Sequence, residues 1–466
     1  MMNHISRLLP IWLISTLFLT GCAAYPSAQQ QQQQTDLSSA GFVTLFLNQS
    51  DTDSPLQISI SNVEVFAEPL WYPLDSPQSP LQATENQQLI AAAPLASDSY
   101  TRIRFQLTVS TGEDELLRQE QAELRLAEPF DIKAGSSHCL FIKSQITLQT
   151  LDQPLQQQLR LVRQQRPLAD EILYILCPAI QTLYVAKIAP LQIVAAYGVG
   201  EDIADMVLDK RQKVLYLLDR RYRQVQKFDA VSQSLADRIA LPLTDRPSYL
   251  GLSDDGHTLY VSDPSNQKIL QLDARTGNLL QQRTASYQPG RVHPFTYQQQ
   301  SYLAVLYPND QQLQVLSAAT MAPLYNVPVG VQPADLAFSD QALFVSDRFS
   351  RQLLKINPLS GNIMARINTA FAPGKLVNDP LNRNLLIGLC RKQAIAFLPF
   401  GQQLVARRVE AGGCPEDLAL ARQRRLLFAA LGEQQQIKVF DLPSEKQIGT
   451  LSLATRPGTI VFQESW

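Results

Sequence analysis

Most of the residues that carry chemistry are scarce in this sequence. It holds four histidines in 466 residues, and only His257 and His293 lie beyond residue 168. There is no Cys-x-x-Cys-His haem attachment site and no paired-histidine metal spacing. No Gly-x-Ser-x-Gly elbow and no phosphate loop appear, which removes the commonest hydrolase and nucleotide-binding signatures. Charge is also sparse: 18% of residues are charged and the net charge is −2. Such a balance gives no electrostatic footing for nucleic acid or for an acidic substrate. The basic pairs Arg220-Arg221 and Arg424-Arg425 sit at polar turns and read as solvated surface. Near the N-terminus, the apolar run Leu8 to Leu19 is too short for a stable membrane span.

What is present is a period. The stretch Leu259-Tyr-Val-Ser-Asp263 has relatives whose aromatic or apolar positions are Tyr174, Tyr216, Tyr260, Ala304, Phe344, Leu386 and Phe428. Their spacings are 42, 44, 44, 40, 42 and 42 residues. A repeat of this size, with apolar alternation and short polar turns, predicts a β-propeller of four-stranded blades. In the best-formed unit Pro247-Ser-Tyr-Leu-Gly-Leu is the inner strand and Asp254-Asp-Gly256 the turn. Thr258 to Asp263, Lys268 to Asp273 and Asn278 to Arg283 complete that blade. The plan returns at Ile203, Pro333, Pro373 and Pro415, and in degraded form near Gly290. Both ends of the repeat region are incomplete. Arg456 to Phe462 is an inner strand with no blade behind it, whereas 172–194 supplies three strands with no inner strand before them. Together they make a seventh blade and remove two exposed sheet edges.

These repeats resemble the YVTN family of bacterial propellers, in which a proline, an apolar strand and an Asp-Gly turn precede Leu-Tyr-Val-x-Asn/Asp. Leu259-Tyr-Val-Ser-Asp263 and Leu343-Phe-Val-Ser-Asp347 match well, whereas 303–307 and 385–389 match poorly. The resemblance covers 172–462. It implies the fold and little about function, because such propellers serve as binding scaffolds, structural modules and enzymes.

The N-terminus carries an address. Arg7 and the apolar run end in Leu19-Thr-Gly-Cys22, which resembles the bacterial lipobox. The resemblance implies a leader over 1–21, cleavage before Cys22 and lipidation of Cys22. Each buried methylene adds roughly 0.8 kcal/mol, so several acyl chains hold permanently. Ala23 is not aspartate, which under the enterobacterial sorting pattern implies the outer membrane, facing periplasm or cell surface. Residues 22–40 contain a glutamine run with almost no large apolar side chain and read as a tether.

Between the tether and the repeats, 41–168 has strand-type alternation without the period. Val43 to Leu47, Leu56 to Ile60, Ile103 to Val109 and Cys139 to Ile142 are examples, separated by Pro- and Ser-rich connections. This predicts an antiparallel β-sandwich. The sequence is therefore read as all-β, a sandwich over 41–168 and a seven-bladed propeller over 169–466. The order Ser61-Asn-Val-Glu-Val65 and Ser99-Tyr-Thr-Arg-Ile-Arg104 resembles prealbumin-like domains of bacterial lipoproteins, which implies no activity. Trp71 and Tyr72 read as a contact platform or as a partly buried aromatic pair.

Four cysteines follow Cys22 in a compartment that is oxidising on this reading. In the blade scheme Cys390 lies at a hairpin between second and third strands. Cys414 lies in the loop entering the next blade, on the same face of the ring, so a Cys390–Cys414 bridge is expected. Cys139–Cys177 would follow by elimination, although four cysteines allow three pairings. Buried free thiols are the alternative.

One constellation remains. Two residues after each blade opening stand Asp205, Tyr249, Val292, Asp335, Lys375, Asp417 and Thr459. Around a ring these point toward one end of the channel, with Arg246, Arg291 and Arg456 nearby. Asp205, Asp335 and Asp417 are candidate metal ligands there. The competing reading has the carboxylates accepting hydrogen bonds from loop N–H groups, with the arginines as ion partners. No cofactor is indicated. The expectation is a non-enzymatic, membrane-anchored scaffold that binds an envelope protein. Its rival is a lactonase- or lyase-like propeller enzyme with a channel metal.

Overall fold

The repeated Tyr, Ser and Asp of each unit are structural, because each one ties strands or blades together. Tyr174 and Tyr216 donate their hydroxyls to Ala230 O and Ala274 O, in each case on the following blade. Ser262 donates to Gly290 O at 2.7 Å, on the loop that opens the next blade, and Ser346 to Gly374 O at 2.9 Å, at the start of the next blade's inner strand. The closing aspartates accept N–H groups of their own entry loops: Asp263 from Asp245 and Arg246, Asp347 from Gln332. Buried polar groups need such partners, so where the motif is present each of its polar residues is matched across or within a blade junction.

A computed structural model of the chain describes residues 39–49, 56–76, 87–111, 115–164 and 171–464. Residues 203–240, 249–284, 292–328, 333–368, 373–410 and 415–452 form blades 1 to 6, each a four-stranded antiparallel sheet. Blade 7 joins the two ends of the repeat region. Its outer strands come from 172–198, and its inner strand, Ile460–Gln463, pairs with Ile172–Cys177 in the register Ile460 to Ile175 and Gln463 to Ile172. The inner strands touch their neighbours all the way round, including blade 7 against blade 1. The expected ring closure is therefore present.

Hairpin turns require left-handed backbone, usually supplied by glycine or asparagine. Here Lys213, Gln267, Gln311, Arg351, Arg383 and Gln435 occupy it, with φ between 51° and 58°. The side chains of Gln267, Gln311, Arg351, Arg383 and Gln435 stay exposed at these turns, whereas that of Lys213 is buried.

The N-terminal domain is a sandwich of two four-stranded sheets. Its strands are β1 (Ala40–Gln49), β2 (Leu56–Ala67), β3 (Leu70–Pro73), β4 (Gln87–Ala96), β5 (Ser99–Thr111), β6 (Leu116–Asp131), β7 (Ser137–Ser144) and β8 (Leu159–Arg163). One sheet is ordered β4-β1-β7-β8 and the other β3-β2-β5-β6. One pair departs from the antiparallel pattern: β1 and β7 run parallel, Phe42 opposite Ser137. The chain visits the other sheet between them, which supplies the long connection a parallel pair needs.

Strand β1 is buried on both faces. Val43, Leu45 and Leu47 enter the sandwich core. Phe42 and Phe46 join Phe141, Leu173, Tyr184, Phe428 and Phe462 in a second core shared with blades 6 and 7. The sandwich thus sits on the rim of blade 7, whose strands from 172–198 are β9 (Ile172–Cys177), β10 (Thr182–Ile188) and the outermost β11 (Leu191–Gly198), and its main contact is with β11. Two glutamines complete the free edge of β11. The Gln87 amide donates to Ile193 O at 2.9 Å and accepts from Ile193 N at 2.7 Å. Gln164 accepts from Cys139 N and Ala196 N and donates to Ala196 O. Side-chain amides here do what the backbone of a fifth strand would do in a larger sheet, covering an edge that otherwise invites aggregation. Thr44 Oγ1 to Tyr184 Oη at 2.7 Å and Ser137 Oγ to Thr182 Oγ1 at 2.8 Å add to the contact. The domains also approach closely at Gly198, where a Cβ would lie 1.8 Å from Gly135 O.

Candidate functional site

Inner strands from all seven blades line a central cavity of about 650 Å³. Leu250, Leu336, Leu376, Leu418 and Ile460 are among the walls, and charged groups line both ends: Asp209, Lys210, Arg211, Asp254 and Arg422 where the inner strands finish, and a second set at the mouth where they begin. There Asp205, Asp335 and Asp417 share one role. The Oδ2 of each accepts an N–H from the next blade's inner strand: Leu250 at 3.0 Å, Leu376 at 2.9 Å and Ile460 at 2.8 Å. Each carboxylate therefore clips neighbouring blades together at the axis.

The second oxygens differ. Asp335 Oδ1 pairs with Arg291 Nε of the preceding blade at 3.1 Å, and Asp417 Oδ1 with Lys375 Nζ of the preceding blade at 2.9 Å. Asp205 Oδ1 accepts only the N–H of Met206. Burial pushes the Asp205 carboxyl above the usual range, and the pull of Arg291 and Lys375 opposes this from a distance. Lys375 is held above the usual ammonium range, because Asp417 and Asp335 outweigh its burial. His293 Nε2 accepts the Phe338 N–H at 3.3 Å, and burial keeps the ring below the usual imidazole range. His293 is therefore a neutral acceptor in the wall.

This geometry corrects the metal-ligand expectation for Asp205, Asp335 and Asp417. Among the described residues no group of three or more His, Cys, Asp or Glu is gathered to hold a metal ion. The three carboxylates are spent on strands and cations around the ring rather than converging. Their hydrogen-bond donors also differ from the expected loop groups, being inner-strand N–H groups of the next blade. Of the three arginines, only Arg291 joins the ring. Arg456 pairs with Glu416 beside it, and Arg246 uses its backbone N–H on Asp263.

The cysteines divide. Cys390 and Cys414 form a disulfide on the mouth face. Cys139 and Cys177 are buried free thiols, which corrects the second bridge inferred by elimination. Both sit in the apolar core shared by sandwich and propeller, where burial pushes their thiols up. A cysteine so placed packs as a small hydrophobe. Cys22 lies outside the described residues.

Trp71 and Tyr72 are half-buried rather than a platform. Trp71 packs on Phe66, with ring centroids 5.1 Å apart, and Arg104 lies 4.3 Å over it. Tyr72 leans on Tyr100.

Sequence reasoning missed a feature of the mouth face. The starts of the inner strands, the hairpins between second and third strands and the loops entering each blade all share this face. Tyr222, Leu243, Tyr287, Val331 and Phe349 are exposed on it, Phe349 by 70%. The loops that hold them are linked in series: Arg223 donates to Thr244 O, Lys268 to Leu243 O, Tyr287 packs on Tyr307, and Arg348 N donates to Gln332 O.

No protein-family model matches the chain, and no curated protein matches it. Solved structures with a similar fold include a functionally unknown protein from Desulfotomaculum acetoxidans, at 10% identity and a TM-score of 0.55, covering 64% of this chain and 100% of that one. Another is the dihydro-heme d1 dehydrogenase NirN, at 14% identity and a TM-score of 0.48, covering 63% of this chain and 75% of that one. A third is the hydrazine synthase of Kuenenia stuttgartiensis, at 10% identity and a TM-score of 0.47, covering 56% and 89%. The sheet order itself, seven four-stranded blades closed in a ring, puts the chain in the class of β-propeller proteins. The neighbours also correct the expectation that the chain is not an enzyme. Two of these neighbours are enzymes, so that expectation is withdrawn. No reaction comes with the correction, because likeness at these identities concerns the fold.

Proposed function

We propose that this chain is a lipid-anchored protein of the bacterial outer membrane that binds an envelope protein through the loop faces of a YVTN-type propeller. The observation that carries the reading is the seat of the sandwich against β11, the outer strand of blade 7, so that its main contact is with the rim of the ring. The exposed arc of Tyr222, Leu243, Tyr287, Val331 and Phe349 adds to it, because aromatic anchors are what protein interfaces use most. The anchor rests on Leu19-Thr-Gly-Cys22 and the glutamine-rich tether that follows. The repeat type rests on Leu259-Tyr-Val-Ser-Asp263 and Leu343-Phe-Val-Ser-Asp347.

A photo-crosslinking residue at Phe349 or Tyr222 in intact cells tests the reading, with Met364 and Ile448 on the outer strands as controls. One reproducible protein adduct from the face positions, missing from the rim positions, is expected. Adducts that are equal at face and rim, or none at all, would remove the reading. Separately, Cys22→Ser is expected to move the protein from the membrane fraction to the soluble fraction.

A further inference from the structure

The seven hairpins between second and third strands all end on a residue in the left-handed region, just before the third strand begins. That residue is Gln181, Gln267, Gln311, Gln393 or Gln435 in five blades, and Arg223 and Arg351 in blades 1 and 4, with φ between 49° and 58° throughout. Glutamine satisfies the turn, so the two arginines answer to something other than backbone geometry. The same two hairpins are the ones that expose a large apolar side chain, Tyr222 by 58% and Phe349 by 70%. Asp219-Arg220-Arg221-Tyr222-Arg223-Gln224 and Asp347-Arg348-Phe349-Ser350-Arg351-Gln352 thus share a buried aspartate, an exposed aromatic and arginine on either side of it. Blades 1 and 4 stand three places apart in a ring of seven, so these hairpins flank the channel from nearly opposite sides.

Charge on the mouth face is divided in the same way. On blades 5 to 7, Lys392 and Arg456 are paired with Glu410 and Glu416, and none of the large exposed hydrophobics among the described residues lies on that part of the face. On blade 1, Arg220 and Arg221 face Asp202 and Glu201. Among the described residues no carboxylate pairs with Arg223, Arg246, Arg348 or Arg351, and all four are exposed. Arg223 reaches only a carbonyl, Thr244 O, at 3.5 Å.

We propose that the mouth face takes an acidic protein segment bearing aromatic or apolar residues, held by the hairpins of blades 1 and 4 from opposite sides of the channel. Guanidinium groups fit carboxylates in bidentate pairs, and tyrosine and arginine are among the residues enriched at the anchor points of interfaces. A sheet of anionic lipid headgroups would meet the same arginines, but also the carboxylates of Glu201 and Asp245 that stand among them on this face. A peptide segment can place its charges one at a time. The inference rests on the reading that the loop faces bind a protein, and it names the chemistry of that protein.

The test uses the full chain in detergent and the soluble copolymer of glutamate and tyrosine, with the copolymer of lysine and tyrosine and mixed micelles of phosphatidylglycerol alongside. The glutamate copolymer is expected to bind, and to bind less as salt is added, since exposed charges are screened. Arg223→Gln/Arg351→Gln is expected to weaken it about tenfold or more, the scale of an interface anchor. That variant carries the residue of the other five hairpins, so its melting temperature should equal the parent's. Equal binding to parent and variant, preference for the lysine copolymer, no binding, or phosphatidylglycerol binding with the same arginine dependence overturns the inference. Photo-crosslinking from Phe349 in intact cells separates it from the broader reading. A protein adduct that survives Arg223→Gln/Arg351→Gln keeps the loop face as the binding face and removes the acidic partner, whereas no adduct at all removes both.

Discussion

Buried polar groups meet in two regions of this molecule, and the two are built on different principles. At the contact between sandwich and propeller the groups are neutral: the amides of Gln87 and Gln164 and the hydroxyls of Thr44, Tyr184, Ser137 and Thr182. Each is matched to a fixed partner, and the surroundings are an apolar core. At the channel mouth the groups are charged, the pairing is uneven, and the surroundings open to a cavity. Neutral groups with complete pairing fix the angle between two domains and leave nothing for a ligand. Charged groups that share two cations among three carboxylates also hold the blades together, but they do so beside open space. Polarity in the first region seals a contact, and in the second it ties strands that face a cavity.

The comparison breaks most severely if blade 7 fails, because the contact rests on it. Truncation after Ala454 deletes the inner strand with Ile460 and Phe462, leaving the strand Ile172–Cys177 as an open edge at the axis. We expect a protein that is insoluble or unfolded at 37 °C. A soluble monomer with an unchanged melting temperature would show that the seam carries no stability.

Gln87→Leu comes next. It leaves both Ile193 N and Ile193 O buried without partners, at a cost of about 1–3 kcal/mol for each such group. Urea unfolding should show a loss of about 3 kcal/mol, and the sandwich should become the first part cut by protease. Loss of the propeller ahead of the sandwich would contradict this.

At the mouth, Lys375→Met removes the partner of Asp417 Oδ1. The lysine side chain is 20% exposed, so the cost should fall below the 3–5 kcal/mol of a fully buried broken pair, at about 2 kcal/mol. If Lys375→Met costs more than Gln87→Leu, the mouth is the stiffer of the two regions and the contrast is reversed.

The smallest effect concerns pH. His293 is held neutral in the folded state, so the unfolded chain gains a proton that the folded chain refuses as pH falls below the usual imidazole value near 6.5. Its contribution is therefore present above that value and lost below it. His138 has the same sign for the same reason, burial. His293→Gln should flatten the decline in melting temperature between about pH 6.5 and 5, and an unaltered decline would place its cause elsewhere.

The ring was legible in the sequence because a blade is a local unit: Tyr260, Ser262 and Asp263 recur at intervals set by four short strands. Its closure was legible because 172–194 and 456–462 are each incomplete in complementary ways. The positions of Asp205, Asp335 and Asp417 followed from the same register. Their partners did not, since Leu250, Leu376 and Ile460 become neighbours only when the ring turns one blade onto the next. The docking of the sandwich was also unforeseen, although one sign of it was present. Gly41-Phe-Val-Thr-Leu-Phe-Leu47 is nearly continuous in apolar character, as strands covered on both faces are. Gln87 and Gln164 gave no sign at all, because in a chain so rich in glutamine two more carry no local information.

Blade 7 holds the end of the repeat region on its inner side, and on its outer side it holds the domain to which the N-terminal segment leads. A pull on the N-terminus enters at β1, passes to β7 along their paired lengths, and reaches β11 through the amides and the shared core. It arrives at the one sheet whose innermost strand belongs to the far end of the chain. A load applied between the N-terminus and the C-terminal strand would have to part Ile460–Gln463 from Ile172–Ile175, the pairing that closes the ring. The closing seam is thus also the place where the two ends of the described chain bear on each other.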